Sequence, residues 1–290
     1  MVGSTLATKL RELGHDVEIG SRSVAEDAVP FVEADVGRRQ PDVQHPRSPL
    51  VEKALLEWFG EHGRDLPWRQ TRDPYAILVS EVMLQQTQVG RVVPRYLAFL
   101  ERWPTVEALA AASPGDVIRE WQGLGYNLRA LNLHRAATRI AADGWPDDLT
   151  ELPGVGRYTA DAVARFAYER SVLPVDTNVR RVVERTGAGF GPASAHALMD
   201  LGATICLARV PRCDACPLSA GCRSRGKRYP ALRKQSRFEG SFRQRRARAL
   251  SLVAESPRRR AALDEEAIES LAADGLVQVR RGFVSLPDRP

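Results

Sequence analysis

Residues 152–160 read LPGVGRYTA and join two segments with helical periodicity. Gly154 and Gly156 allow a tight turn, because glycine adopts positive φ angles without a steric penalty. The backbone N–H groups of such a turn, at the start of a following helix, can face a phosphate anion. A Gly-x-Gly pair is also typical of an ordinary helix connection. The stretch predicts a turn between two helices, with Gly154, Val155, Gly156 and Arg157 as candidate phosphate-binding residues.

The chain around this turn has the pattern of many short helices. Between about Leu50 and Arg223, apolar residues recur at spacings of three and four, with Pro and Gly between the segments. Further on, two helical segments precede a hairpin that turns near Arg281 and Gly282, an order that resembles a small winged-helix unit. We therefore expect a mainly α protein with a small C-terminal winged-helix-like α+β segment. The sequence does not decide whether that segment contacts DNA or only packs.

Composition and charge limit the class of protein. The 290 residues are 43% hydrophobic, enough to bury a core, and the formal net charge is +6. From Arg223 to Arg260, 14 Lys or Arg residues stand against 2 acidic ones. Such a run is usually a solvated face, so it favours a nucleic-acid partner only modestly. No stretch approaches the roughly 20 apolar residues of a membrane span, and no signal peptide follows Met1. We expect a soluble, intracellular protein with no membrane partner.

All four cysteines lie within 17 residues, in the spacing Cys-x6-Cys-x2-Cys-x5-Cys. In an intracellular protein, this clustering argues for a metal site over disulfides. Four thiolates suit either zinc or a [4Fe–4S] cluster, and ligand chemistry alone does not separate the two. The candidate ligands are Cys206, Cys213, Cys216 and Cys222.

Residues 80–89, SEVMLQQTQV, form the most discriminating stretch. On a helix, Glu81, Leu84 and Gln85 share a face, so a carboxyl, an apolar side chain and an amide can approach one ligand. The alternative is an amphipathic helix with an apolar core face and solvated glutamines. Composition alone favours that alternative.

A second carboxyl group follows the hairpin, in the segment VLPVDTNVRRVVER. Asp176 precedes a helical run that begins near Asn178, which makes it a candidate N-cap. An N-capping carboxylate remains anionic, so it can also act electrostatically on a bound substrate. Both roles are therefore open for Asp176.

Six elements follow one another along the chain: LPWR, SEVMLQQT, GLGY, LPGVGRYTA, VDTNV and the four cysteines. In this order they resemble the adenine DNA glycosylase (MutY) family of the helix-hairpin-helix, endonuclease III-like superfamily. The resemblance implies a helix-hairpin-helix glycosylase domain over 49–223, with a [4Fe–4S] cluster loop, and a basic linker with the winged-helix-like segment over 224–290. It also implies a cytoplasmic monomer that is nucleoid-associated through its partner, double-stranded DNA containing a mismatch.

The same resemblance implies a monofunctional reaction on adenine opposite 8-oxoguanine or guanine. Glu81 would protonate adenine N7, and Asp176 would stabilise positive charge on deoxyribose C1′. Tyr158 stands where bifunctional relatives carry a nucleophilic lysine, so water is the expected nucleophile. Tyr158 and Asn178 would support the site around C1′.

Base recognition follows from the family pattern as well. Tyr126 would wedge beside the opposing base, while Gln86 would fill the gap left by the extruded adenine. His196 stands where the family usually has a glutamine or glutamate that reads adenine. The residues expected to contact the bases are Trp68, Arg69, Leu84, Gln86, Tyr126 and His196.

Other readings remain open. A related glycosylase could act on thymine opposite guanine, although Glu81 argues against this. A noncatalytic iron–sulfur DNA-binding protein is a third possibility, which Glu81 and Asp176 disfavour. Residues 1–22 resemble a dinucleotide-binding βαβ unit without its first strand or full glycine fingerprint. We therefore interpret 1–48 as a truncated fragment and linker without a cofactor.

Overall fold

The structure is a computed structural model that describes residues 46–230 and 237–288. As the sequence predicts, these residues form mainly short helices. The helices are α1 Pro49–His62, α2 Pro74–Leu84, α3 Val89–Arg102, α4 Val106–Ala110, α5 Pro114–Glu120, α6 Leu128–Asp143, α7 Arg157–Phe166, α8 Thr177–Thr186, α9 Ala195–Thr204, α10 Phe242–Glu255 and α11 Glu265–Ala273. None of these described helices is long and apolar enough to cross a membrane. Most of the fragment interpreted in 1–48 lies outside the described residues.

Side-chain caps and prolines define where several helices begin. Asp73 precedes Pro74 and accepts hydrogen bonds from the backbone N–H groups of Tyr75 and Ala76. Ser113, followed by Pro114, caps α5 in the same way. Proline suits the first helical position, because its missing N–H would have no partner there. These caps fix the first residues of α2 and α5.

Two apolar cores position the helices around the hairpin. The larger core surrounds α2, which is buried from Tyr75 to Met83, and extends to α3–α7. The smaller core joins α1, α8 and α9 through residues such as Leu55, Val182 and Leu198. Together the two cores hold the C-terminal half of α2, the start of α7 and the start of α8 in place. The candidate catalytic residues come from these three segments.

The C-terminal segment forms its own core against α5 and α6. Its strands are β1 Arg258–Arg259, β2 Gln278–Arg280 and β3 Phe283–Ser285, which form an antiparallel sheet in the order β1-β3-β2. Ile118 of α5 and Leu131 of α6 belong to this core. The two predicted helices and the hairpin are therefore present. The sequence did not indicate β1, because two arginines carry no strand signal before their pairing with β3 is known.

Candidate active site

Glu81 lies on α2 with only 6% of its surface exposed. Burial raises the pKa of this carboxyl to about 7, because the charged form is poorly solvated inside the protein. A hydrogen bond from Tyr158 and the charge of Arg69 oppose the rise in pKa, while the charge of Asp176 adds to it. At neutral pH a large fraction of Glu81 is therefore protonated and can donate a proton.

Tyr158 lies in the first turn of α7 and faces both carboxyl groups. Burial, together with the charges of Glu81 and Asp176, raises its pKa well above the usual value for tyrosine. The phenol therefore stays protonated and donates a hydrogen bond to Glu81. The structure thus brings together three of the predicted catalytic residues.

Asp176 is the N-cap of α8, as its position before the helix predicts. Its carboxylate accepts hydrogen bonds from the backbone N–H of Val179 at 2.6 Å and from Nδ2 of Asn178 at 2.9 Å. Arg181 Nη2 donates to Oδ1 of Asn178 at 2.6 Å and thereby orients the amide. A Cβ on Gly202 would lie 2.6 Å from Cβ of Asn178, so only glycine lets α9 approach this site so closely. Asp176 is fixed in direction by its cap and by Asn178.

Gln85 does not share the helical face of Glu81, contrary to the sequence interpretation. α2 ends at Leu84, and Gln85 is its C-cap with non-helical backbone angles. Its Nε2 lies 3.4 Å from Oγ1 of Thr159 in α7. Leu84 remains on the helix, one turn after Glu81, and is partly buried against the larger core.

The hairpin has the geometry expected for a turn that approaches a phosphate. Gly154 has a φ of +75°, and a Cβ there would lie 2.8 Å from Cβ of Asn132. Val155 is buried, whereas Gly154, Gly156 and Arg157 are exposed at the start of α7. Valine thus anchors the turn, and the exposed residues beside it lie next to the start of a helix, where backbone N–H groups can bind an anion.

The predicted base-contacting residues Trp68, Arg69 and His196 are largely enclosed. Trp68 is 7% exposed and packs edge-to-face on Tyr96, at 5.4 Å between ring centroids. Most of this indole therefore belongs to the core. His196 stacks on Phe166 at 4.1 Å, and burial followed by the charge of Arg69 lowers its pKa to about 4. The imidazole is consequently neutral at physiological pH.

A buried carboxylate that the sequence analysis missed holds Arg69. Asp200 lies one turn after His196 on α9, and its side chain accepts hydrogen bonds from Arg69 Nη2 at 2.7 Å and Arg64 Nη2 at 2.6 Å. Its side chain is 1% exposed. The two guanidinium groups therefore neutralise a carboxylate that is shielded from solvent. Asp200 therefore fixes Arg69 beside Glu81 and His196. Its partners lie 131 and 136 residues away in sequence, and no local motif marks the contact.

Gln86 and Tyr126 lie on two loops that share an unusual backbone conformation. Their φ angles are +55° and +47°, a region that non-glycine residues seldom adopt. Both residues are exposed, as expected for side chains that meet a ligand from outside. Such strained positions persist only when surrounding contacts hold them in place.

Arg129, at the start of α6, supplies those contacts and was also missed from the sequence. One end of its guanidinium donates to the backbone oxygens of Val82, Met83 and Gln85 at the end of α2. The other end donates to Thr87 Oγ1 and to the backbone oxygens of Leu124 and Gly125. Arg129 therefore ties the Gln86 loop to the Tyr126 loop.

Replacing Arg129 with methionine should lower the free energy of unfolding by about 3 kcal/mol, because several partly buried carbonyl oxygens lose a charged donor. Urea denaturation measures this change. Arg135→Met on the same helix is the control, since exposed Arg135 makes one long hydrogen bond within the described part of the chain, to Asn132 at 3.4 Å. Equal stability losses in the two variants would contradict the positioning role of Arg129.

The four predicted metal ligands line one small pocket of about 20 Å³. None of them forms a disulfide. Arg185 Nη1 lies 3.5 Å from Sγ of Cys206, and the backbone N–H of Gly226 lies 3.3 Å from Sγ of Cys213. Among the described residues, no group of three or more His, Cys, Asp or Glu side chains could hold a metal ion. What supports the expected cluster is therefore the arrangement of four thiols around one pocket and the N–H donors to two of the sulfur atoms.

Sequence comparison with known proteins identifies the family. The adenine DNA glycosylase of Mycolicibacterium smegmatis is 46% identical over 268 residues, which cover 77% of this chain and 91% of that relative. The chain belongs to the adenine DNA glycosylase family. Residues 79–199 also match the family described as HhH-GPD superfamily base excision DNA repair protein. That match includes Glu81, Tyr158 and Asp176.

Solved structures confirm the helix-hairpin-helix glycosylase fold. A thermostable thymine-DNA glycosylase aligns with a TM-score of 0.55 at 28% identity, covering 60% of this chain and 94% of that one. A trapped endonuclease III–DNA covalent intermediate aligns with a TM-score of 0.53 at 23% identity, covering 60% and 93% of the two chains. The family fold therefore accounts for the part of the chain that carries the candidate active site.

Proposed function

We propose that this family member hydrolyses the N-glycosidic bond of adenine opposite 8-oxoguanine or guanine in double-stranded DNA. The observation that carries the proposal is Glu81, a buried acid with a pKa of about 7 that lies beside Tyr158 and Asp176. A general acid works best when its pKa lies near the working pH. Adenine is a poor leaving group, and its departure as a neutral base requires such an acid.

The proposed reaction divides the chemistry between the two carboxyl groups. Glu81 donates its proton to adenine N7, and the bond between N9 and C1′ breaks. The anion of Asp176 stabilises the positive charge that develops on C1′. Because Tyr158 offers no amine, water adds to C1′. It gives up one proton to the carboxylate left on Glu81, which restores the acid and leaves an abasic site. Asn178 holds the carboxylate of Asp176 toward the sugar.

Recognition of the flipped adenine is proposed for the residues around Arg69. Arg69 and neutral His196 would present hydrogen-bonding groups to the base, with Leu84 and the exposed edge of Trp68 as the apolar wall. The hairpin Gly154–Arg157 would hold the phosphate backbone, while Tyr126 and Gln86 enter the duplex. The loop-binding contacts of Arg129 support this last role.

Comparing excision from three duplexes tests the substrate proposal. We expect fast release of adenine opposite 8-oxoguanine and opposite guanine, and little release of thymine opposite guanine. The similarity to a thymine-DNA glycosylase makes the third duplex the informative alternative. Preferential release of thymine would show that thymine, and not adenine, is the substrate.

The rate of excision should fall as the pH rises above about 7. Glu81 acts as an acid in its protonated form, so each pH unit above its pKa removes about nine-tenths of the active form. Single-turnover rates between pH 5.5 and 9 measure this dependence, with DNA binding followed in parallel. Glu81→Gln should show no such titration in its residual activity. A rate that rises with pH through this range would contradict the assignment.

We also propose that Cys206, Cys213, Cys216 and Cys222 hold one [4Fe–4S] cluster. When bound, the cluster would supply a structural crosslink for the loop that follows α9. Arg185 supports that loop through hydrogen bonds to the backbone oxygens of Leu207 and Ala208, both at 2.7 Å. The loop would thereby become a fixed surface next to the catalytic domain's smaller core.

Protein purified without oxygen should be brown and contain about four irons per chain. Elemental analysis and the visible absorption spectrum measure this directly. Cys216→Ser should lower the iron content and the midpoint of thermal unfolding together. A colourless protein with one zinc per chain would contradict the cluster.

A further inference from the structure

The outer face of the C-terminal sheet presents three arginines around one aromatic ring. The strand register places Phe283 of β3 directly between Arg259 of β1 and Arg280 of β2, so the three side chains share a face. Arg281 follows Arg280 at the tip of the hairpin. All four residues are exposed, and the guanidinium of Arg259 lies 5.8 Å from the Phe283 ring centroid. We call these four residues the arginine face.

The charges of the arginine face are not compensated within the described residues. No carboxylate there forms an ion pair with Arg259, Arg280 or Arg281. Other arginines of the same segment are paired: Arg245 with Glu266, Arg246 with Asp274, Arg258 with Glu255, and Arg260 with Glu265. Positive charge on this side of the sheet is therefore unpaired among the described residues, whereas these four other arginines of the segment are paired.

The backbone of Arg281 gives a second, independent reason to expect a ligand. The two-residue turn between β2 and β3 has φ angles of +50° at Arg281 and +76° at Gly282. Turns with positive φ at both positions favour asparagine followed by glycine, and a long side chain at the first position is strained. The Arg281 side chain is exposed at the tip of this turn. Its presence at the tip indicates a role outside the fold.

The helix between β1 and β2 is not suited to this role. α11 carries Glu265, Glu266 and Glu269 and contains no Lys or Arg that could bind a phosphate. The segment as a whole is nevertheless fixed to the catalytic domain. The backbone N–H of Gly115 donates to the oxygen of Pro287 at 2.9 Å, and Arg119 Nε donates to the oxygen of Ala254 at 3.0 Å. The sheet face, not α11, is therefore the surface suited to an anionic polymer.

We propose that the arginine face is a second DNA contact, which binds the phosphate backbone of duplex DNA without reading its sequence. The three guanidinium groups bind phosphate oxygens, and Phe283 lies against the sugars between them. The proposal rests on DNA as the substrate of the catalytic domain. It adds a DNA-binding surface on the C-terminal segment, and binding to that surface does not depend on base removal.

The salt dependence of binding to an undamaged 30-base-pair duplex tests this proposal. Each lost phosphate contact should make the slope of log affinity against log salt concentration less steep by about 0.9. The slope of the triple variant R259Q/R280Q/R281Q should therefore be less steep than that of the wild type by about three. R245Q/R258Q/R260Q removes the same charge from paired arginines and is the control, expected to change the slope much less. Equal changes in both variants, or none in either, would overturn the proposal. Base excision by the wild-type protein tests the catalytic proposal separately, because this assay needs no excision.

Arg281→Asn separates folding from binding at a single residue. Asparagine suits the turn better, so the midpoint of thermal unfolding should rise or stay equal while affinity for the same duplex falls. If the Arg281→Asn protein is stable and its affinity and salt slope are unchanged, Arg281 does not contact the DNA.

Discussion

Replacing Glu81 with glutamine should slow single-turnover excision of adenine by about 10²–10⁴-fold, the usual contribution of a positioned general acid. Glutamine keeps the size and hydrogen-bonding capacity of the side chain but has no proton to give to N7. Glu81 is buried in α2, and its replacement by an uncharged side chain of the same size removes an ionisable group from the interior. The substitution should therefore not destabilise the fold. DNA affinity should therefore remain nearly unchanged.

Glu184→Gln is the matched control for this experiment. Glu184 lies exposed on α8, so the same chemical change there should leave excision and binding as in the wild type. Single-turnover rates under saturating enzyme separate the chemical step from binding. Near-normal excision by Glu81→Gln would show that another group protonates the base.

Asp176→Asn should also lower the excision rate strongly, by about 10²–10³-fold, because a fixed charge beside the developing cation is lost. Asparagine is itself a good N-cap, so its side-chain oxygen can still accept from the N–H of Val179. The fold should consequently persist. Thermal unfolding and single-turnover excision, measured on the same preparation, separate the two roles of Asp176.

Asp264→Asn provides an equivalent change at a cap far from the proposed reaction. Asp264 caps α11 by accepting a hydrogen bond from the N–H of Ala267 at 2.9 Å. Its substitution should leave excision unchanged. Equal rate losses in the two N-cap variants would indicate that Asp176 acts only through the helix.

The local parts of the site could be predicted from the sequence because their causes are local. Gly154 and Gly156 indicate a tight turn, and Asp176 before a helical run indicates an N-cap; the structure has both. The helix boundary was less predictable: Gln85 continues the helical spacing of Glu81 and Leu84 but lies outside the helix. A periodic pattern does not show where tertiary contacts, here those of Arg129, end a helix.

The parts that the sequence did not reveal depend on contacts between distant residues. Arg129 donates to oxygens 44 to 47 residues away, and Asp200 accepts from Arg64 across 136 residues. Neither residue stands in a pattern that marks its partners. For Trp68, the sequence allowed both a core role and a base-contacting role, and its 7% exposure assigns most of the ring to the core. Its exposed edge remains a proposed base contact.

Identification of the products from a duplex with adenine opposite 8-oxoguanine tests the central claim most directly. A single turnover should release free adenine and leave an intact strand with an abasic site, which breaks only after treatment with alkali. Mass spectrometry of the free base and denaturing electrophoresis of the strand measure both products. A strand that breaks without alkali, or a duplex that is bound but releases no adenine, would contradict hydrolysis by Glu81 and Asp176.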